Sequence, residues 1–193
     1  PMDSRNCAID LMNTFRPLIA INRFVAFGLL AMHDNPITRE KIKSEPDYAY
    51  KFSQEVRRFY PFVPFLPGKA KEDIDFQGVT IPAGHGLALD VYGSMHDETL
   101  WENPNEFRPE RFEDWDGSPF DLIPQGGGDY WTNHRCAGEW ITVIIMEETM
   151  KYFAEKVTYD VPEQDLTVDL NSIPGYVKSG FIISNVQEVV DRK

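Results

Sequence analysis

Residues 125–138 read Gln125-Gly126-Gly127-Gly128-Asp-Tyr-Trp-Thr-Asn-His134-Arg135-Cys136-Ala-Gly138, and an apolar stretch with helical spacing follows to about Lys156. Consecutive glycines let a backbone approach a flat cofactor closely, because no Cβ stands between. Cys136 sits just before the expected helix, where the peptide dipole and unpaired N–H groups favour an anionic sulfur. Such a sulfur can ligate a metal, and His134 and Arg135 can donate to acidic groups of a cofactor. A lone cysteine is more often a buried structural thiol; the glycines and the basic pair weigh against that here.

Two further patterns precede this loop. Glu55-Val56-Arg57-Arg58 lies on a segment that reads as a helix beginning near Pro46 and ending before Pro61. Glu55 and Arg58, three residues apart, share a helix face and can pair. Alone, that is a surface ion pair of little worth. Downstream, Phe107-Arg108-Pro109-Glu110-Arg111-Phe112 sets an arginine between aromatics and a proline, which predicts a side chain held against a core.

Glu-x-x-Arg, then Phe-x-Pro-Glu-Arg-Phe, then a glycine-rich loop ending in Arg-Cys-x-Gly, in this order, resembles the cytochrome P450 family. The resemblance runs the length of the chain and implies a mainly α fold with small β-sheets (α+β). It makes residues 1–193 the C-terminal haem-binding part of one domain, from the long central helix through the haem-ligand loop and the helix after it. It implies haem b, iron protoporphyrin IX, with Cys136 as the metal ligand. It also assigns Gly126, Gly127, Gly128 and Gly138 to the cofactor cradle, and His134 and Arg135 to the haem propionates. Glu55, Arg58 and Arg111 become a buried charged triad, costly to break because removing one member strands a charge.

The sequence departs from the general family pattern, and the departures agree with one another. Gln125 stands where a phenylalanine is usual, His134 where an arginine is usual, and the loop is longer. Arg16-Pro17 replaces the acid–threonine pair of the long first helix. These features resemble the fatty-acid peroxygenase branch, and the whole chain is similar to its terminal-alkene-forming decarboxylases. The resemblance therefore implies hydrogen peroxide as co-substrate, a long-chain fatty acid as substrate, and no requirement for a redox partner. A hydroxylating peroxygenase, a reductase-fed monooxygenase and a non-catalytic haem-binding fragment are the competing readings.

Arg16 has a physical sense of its own. A guanidinium stays charged at any working pH. Its helical neighbours are Met12, Ile19 and Ala20, with Asn13 the only polar one. A carboxylate would satisfy it with two parallel hydrogen bonds. An acid elsewhere in the fold would do the same. The resemblance puts Arg16 and Pro17 at the reacting end, with Asn13 beside them and with Phe65 and Leu66 bordering the substrate channel; for the last two, ordinary core packing is at least an equal reading.

The rest of the chain sets bounds. Its 193 residues, 42% hydrophobic and 26% charged, match a soluble globular composition. A net charge of −12 argues against nucleic acid and anionic lipid as partners. Two distant cysteines make no disulfide scaffold and favour a reducing, cytoplasmic setting. The apolar run Leu18–Met32 is broken by Asn22 and Arg23 and is short for a membrane span.

Asp3 or Ser4 can cap a helix reaching about His33, ended by Asp34-Asn35-Pro36 and locally distorted at Pro17. Its apolar residues lie on every side, which predicts burial all round. The short helices and strands that follow are too few to supply that cover, so an N-terminal half of the same protein is expected as a partner. Residues 73–92 read as strands joined by tight turns, 93–135 as a long irregular stretch, and 157–190 as short strands with a hairpin near Pro174-Gly175.

Overall fold

The computed structural model describes residues 3–189. Helix α1 spans Ser4–Asp34. Asp3 caps it, its carboxylate accepting the Asn6 N–H at 2.9 Å. The helix runs unbroken through Pro17, so the expected distortion does not interrupt it. Helix α2 follows at Ile37–Ser44 and α3 at Tyr48–Phe59. Strands β1 (Phe65–Lys69), β2 (Ile74–Phe76), β3 (Val79–Ile81) and β4 (Gly86–Asp90) lead to the short helix α4 (Val91–Met95). The irregular stretch after α4 holds one 3-10 turn, Pro109–Phe112. Helix α5, Glu139–Glu155, then precedes β5 (Val157–Asp160), β6 (Val168–Asp169), β7 (Tyr176–Val177) and β8 (Ser184–Glu188).

The strands form four separate antiparallel pairs: β1 with β4, β2 with β3, β5 with β8 and β6 with β7. The fold is therefore carried by helices, with the pairs as trim. The main core lies where the C-terminal half of α1 crosses α3 and α5, and buries Phe24, Phe27, Phe52, Val56, Met146 and Met150. Gly28 permits that crossing: a Cβ there would lie 2.7 Å from Met150 Sδ. A second core of Val91, Met95, Trp101, Phe112, Leu122 and Ile123 sits beneath the irregular stretch and gives it an interior of its own.

The prediction of an evenly buried α1 needs correction. Burial holds from Phe24 to Met32, whereas Leu11, Met12 and Ile19 are 57%, 58% and 65% exposed. The reason is reach: α3 and α5 pack on the C-terminal half alone. By length and composition α1 could cross a membrane, which the shorter Leu18–Met32 run did not indicate. Its buried half is nevertheless the centre of the protein core.

Candidate functional site

The loop from Ile123 to Gly138 is folded on itself. Gly126 N–H donates to Ile123 O at 3.0 Å and Gly128 N–H to Pro119 O at 2.7 Å. Cys136 N–H closes the loop by donating to Gln125 O at 2.9 Å. Asp129 holds the intervening residues, its carboxylate accepting from the Trp131 and Thr132 N–H groups and the Thr132 hydroxyl, each at 2.9 Å.

The glycines serve the loop's own packing, which the cofactor argument from sequence did not anticipate. Gly126 has φ +89°, and a Cβ on it would lie 2.0 Å from the His134 carbonyl oxygen. A Cβ on Gly127 would lie 2.7 Å from Ile123 Cγ2, and one on Gly128 2.6 Å from Asn133 Oδ1. Gly126→Ala therefore combines a left-handed backbone with a clash against main chain. It is expected to destabilise the fold by about 1–3 kcal/mol or more, read by urea unfolding.

Cys136 is exposed and precedes α5 by one turn, with the Glu139 N–H donating to its carbonyl at 3.2 Å. Gly138 caps the helix without a side chain, and its Cβ position lies 3.8 Å from both Cys136 Sγ and Ile141 Cγ2. Trp140, Ile141 and Ile144 beside it are exposed apolar residues. An accessible sulfur bordered by uncovered apolar side chains is the opposite of a buried structural thiol.

Two buried charge networks stand behind this loop. In the first, Glu55 accepts both arms of Arg58 at 2.8 Å, Arg111 Nε at 3.1–3.2 Å and the Arg108 N–H at 2.8 Å. The Glu55 and Arg58 side chains are fully buried. Arg58 also donates to Met95 O at 2.6 Å, and Arg111 to Glu102 O at 2.7 Å and Glu106 O at 3.0 Å. The structure thus brings together the three residues singled out by motif.

The second network was not visible in the sequence. Arg57, 1% exposed, joins Glu139 and Gln54 and donates through Nε to the Gln125 side-chain oxygen at 3.0 Å. Arg135 pairs with Glu139 at 2.7 Å, stacks over the Tyr130 ring at 4.2 Å, and donates to Gly128 O at 3.3 Å. Tyr130 donates its hydroxyl to Glu139 at 3.1 Å. Burial pushes the Glu139 carboxyl upward, but the hydrogen bond from Arg135 and the charge of Arg57 outweigh it and hold Glu139 below the usual carboxylate range. Arg135 is thereby paired with an acid of this chain. His134 is exposed, with its carbonyl against Gly126. The one available signal was the four-residue spacing of Arg135 and Glu139; nothing local points to Arg57.

Arg16, Asn13 and Pro17 are exposed on α1, away from the helix's buried half. Arg16 and Asn13 line a shallow concavity with Arg5, Ala8, Ile9 and Met12. Among the described residues no acid forms an ion pair with Arg16. Phe65 lies 42% exposed on β1, opposite Asp90 of β4, while Leu66 packs against the second core. Core packing is thus what Leu66 does in this structure.

A family model described as Cytochrome P450 matches residues 25–165. The (+)-menthofuran synthase of Mentha piperita is 30% identical over 148 residues, 73% of this chain and 29% of its own length. Among solved structures, ligand-free cytochrome P450 OleT superposes over 100% of this chain at 89% identity and TM-score 0.92. A point variant of OleT in complex with arachidonic acid matches equally well. Cytochrome P450SP alpha in complex with (R)-ibuprophen covers 96% of this chain at 43% identity and TM-score 0.90. The chain spans 46% of each of these solved chains. With the core half of α1, both charge networks, the cysteine loop, α5 and β5 inside the match, the chain belongs to the cytochrome P450 family.

Proposed function

We propose that the protein is a peroxide-driven haem-thiolate enzyme of long-chain fatty acids, of which this chain is the C-terminal, ligand-bearing part of a single domain. The observation that carries this reading is the whole-chain likeness, at 89% identity, to a P450 crystallised with arachidonic acid, itself a long-chain fatty acid. Family membership implies haem, and the residues present fit it. The exposed Cys136 sulfur is accessible to an iron, Gly138 leaves ordinary contact distance beside it, and Ile141 and Trp140 are uncovered apolar residues that a macrocycle could pack on. His134 and Gly126–Gly128 border the same loop, and Arg135 contributes through its ion pair with Glu139. An N-terminal half of the same protein would cover the apolar first turns of α1, in a soluble cytoplasmic enzyme.

When bound, haem supplies the oxidising chemistry, with hydrogen peroxide as oxidant and no redox partner. The residues of this chain act around it. Cys136 would hold the iron through its sulfur and would lend it electron density. Arg16, which has no ion-paired acid among the described residues, takes the substrate carboxylate through two parallel hydrogen bonds. Asn13, nearly one turn earlier on the same face, offers a further polar contact. Pro17 fixes the backbone after Arg16, and Phe65 is the exposed apolar residue offered to the acyl chain.

Held in this way, the carboxylate supplies the acid–base group that Arg16-Pro17 displaces, and carries a proton from one peroxide oxygen to the other. Oxidation at the carbon β to the carboxyl then ends in one of two ways. A saturated acid and one peroxide give a terminal alkene, carbon dioxide and two waters, or a hydroxy acid and one water. The alkene is the leading product and hydroxylation the side reaction.

Arg16→Ala in the complete protein is expected to lower peroxide-driven turnover of a saturated long-chain fatty acid by about 100-fold or more, the scale of a lost acid–base group. The absorption spectrum of the resting enzyme should stay unchanged. Mass spectrometry of the products measures both the loss and the alkene-to-hydroxy-acid ratio. Unchanged turnover would remove Arg16 from the reaction.

A further inference from the structure

The second charge network holds one acid and two bases: Glu139 against Arg57 and Arg135. Arg57 is fully buried, and the Arg135 side chain is 9% exposed. No other acid forms an ion pair with either arginine among the described residues. Tyr130 adds no negative charge, since burial, and then the Glu139 carboxylate beside it, push its phenol up. The network therefore carries one surplus positive charge inside a chain whose formal charge is −12. An unbalanced buried charge is costly unless an anion stands close by.

Both arginines are tied to the backbone of the Cys136 loop. Arg57 Nε donates to the Gln125 side chain, and the Gln125 carbonyl accepts the Cys136 N–H. Arg135 is bonded to Cys136 through the chain.

We infer that Arg57, Glu139 and Arg135 form a surplus-positive network that positions the Cys136 loop and sets the electrostatic potential at its sulfur. This rests on the haem-thiolate reading. Positive charge near the ligand favours the iron state with one more electron, so the network holds the ferric/ferrous potential above what the bare loop would give.

The charge count supplies a test that a scaffold role cannot mimic. In the haem-loaded complete enzyme, Arg57→Gln takes the surplus from one to zero, Glu139→Gln raises it to two, and the double variant restores one. Arg135→Gln also takes it to zero. Spectroelectrochemical titration should find lower potentials for R57Q and R135Q, a higher one for E139Q, and a return toward wild type in the double variant. A purely structural network would instead shift both single variants the same way and leave the double worst.

That pattern, or no shift at all, overturns the inference. So does loss of folded haem protein in every variant, since the network would then be scaffold alone. The ferrous carbon-monoxide spectrum of the wild type separates the two levels: without a thiolate signature the haem-thiolate reading itself fails. With that signature present and the potentials unordered, only the network inference fails.

Discussion

Glu55→Leu in the complete protein will lower the unfolding free energy by about 3–5 kcal/mol, read as a fall in urea midpoint at constant m-value. The carboxylate takes three hydrogen bonds from two buried guanidiniums and a fourth from the Arg108 amide. Without it, Arg58 keeps carbonyl acceptors, at Met95 and at Glu106, and the rings of Trp101 at 5.5 Å and Phe59 at 5.6 Å. Carbonyl dipoles soften the loss but cannot cancel a unit charge at a site with no solvent. Against a typical total of about 5–15 kcal/mol, this loss decides whether the domain folds at working temperature.

The exposed pair Lys43–Glu40 gives the contrast, since Lys43→Ala should leave the midpoint where it was. Removing the triad as a unit, Glu55→Leu with Arg58→Met and Arg111→Leu, should recover much of the loss, short of one orphaned donor at Arg108. If the triple variant is worse than the single one, stranded charge is not the cause.

The triad was legible because its order along the chain, Glu55-x-x-Arg58 then Arg111 between Phe107 and Phe112, is a recognisable pattern. The network around Arg57 was not. Arg57 and Arg58 are adjacent and chemically identical, and only the tertiary placement of Glu139 and Gln125 gives each its own partners. Residues one apart point to different helix faces, so two arginines side by side serve two separate sites. Strand β1 was missed because Pro67 and Gly68 demote a strand reading. It exists because in a two-stranded pair both strands are edges, and β4 holds it at Pro67–Ala88 and Gly68–Leu87.

The start of α3 lies later than its proline suggests, for a similar reason. Pro46 suits a first helical position, but Asp47 takes φ +61°, and the helix begins at Tyr48. For α1, the sequence showed apolar residues on every side, and this chain covers only the C-terminal half, since an apolar pattern says what wants cover and not what provides it. The likeness to cytochrome P450 fixed the cysteine as the residue to examine. Its exposure and the purpose of the glycines needed coordinates.

Cys136→Ala is expected to have the largest functional effect. The loop itself should survive, because it is closed by the Cys136 N–H to Gln125 O bond and by Glu139 N–H to the Cys136 carbonyl, neither of which uses the side chain. The Cys136 sulfur is exposed, so its removal leaves no cavity in either core. Stability of the apo-protein should therefore change little, which separates this variant from Glu55→Leu and Gly126→Ala.

Under the proposed function, what disappears is the side chain that would donate an anionic electron pair to iron. The ferrous carbon-monoxide complex of haem-loaded enzyme should lose its red-shifted, thiolate-type Soret band. Peroxide-driven fatty-acid turnover should fall to background, because the electron push behind oxygen–oxygen cleavage is gone. Cys136→Ser keeps the shape and an oxygen donor, and tests the same point more narrowly: haem can remain bound, but the thiolate band should not return. A variant without sulfur at 136 that retained that band would show that another residue ligates the iron. Cys7, the other cysteine, stands in the first turns of α1, and Cys7→Ala should leave the band in place.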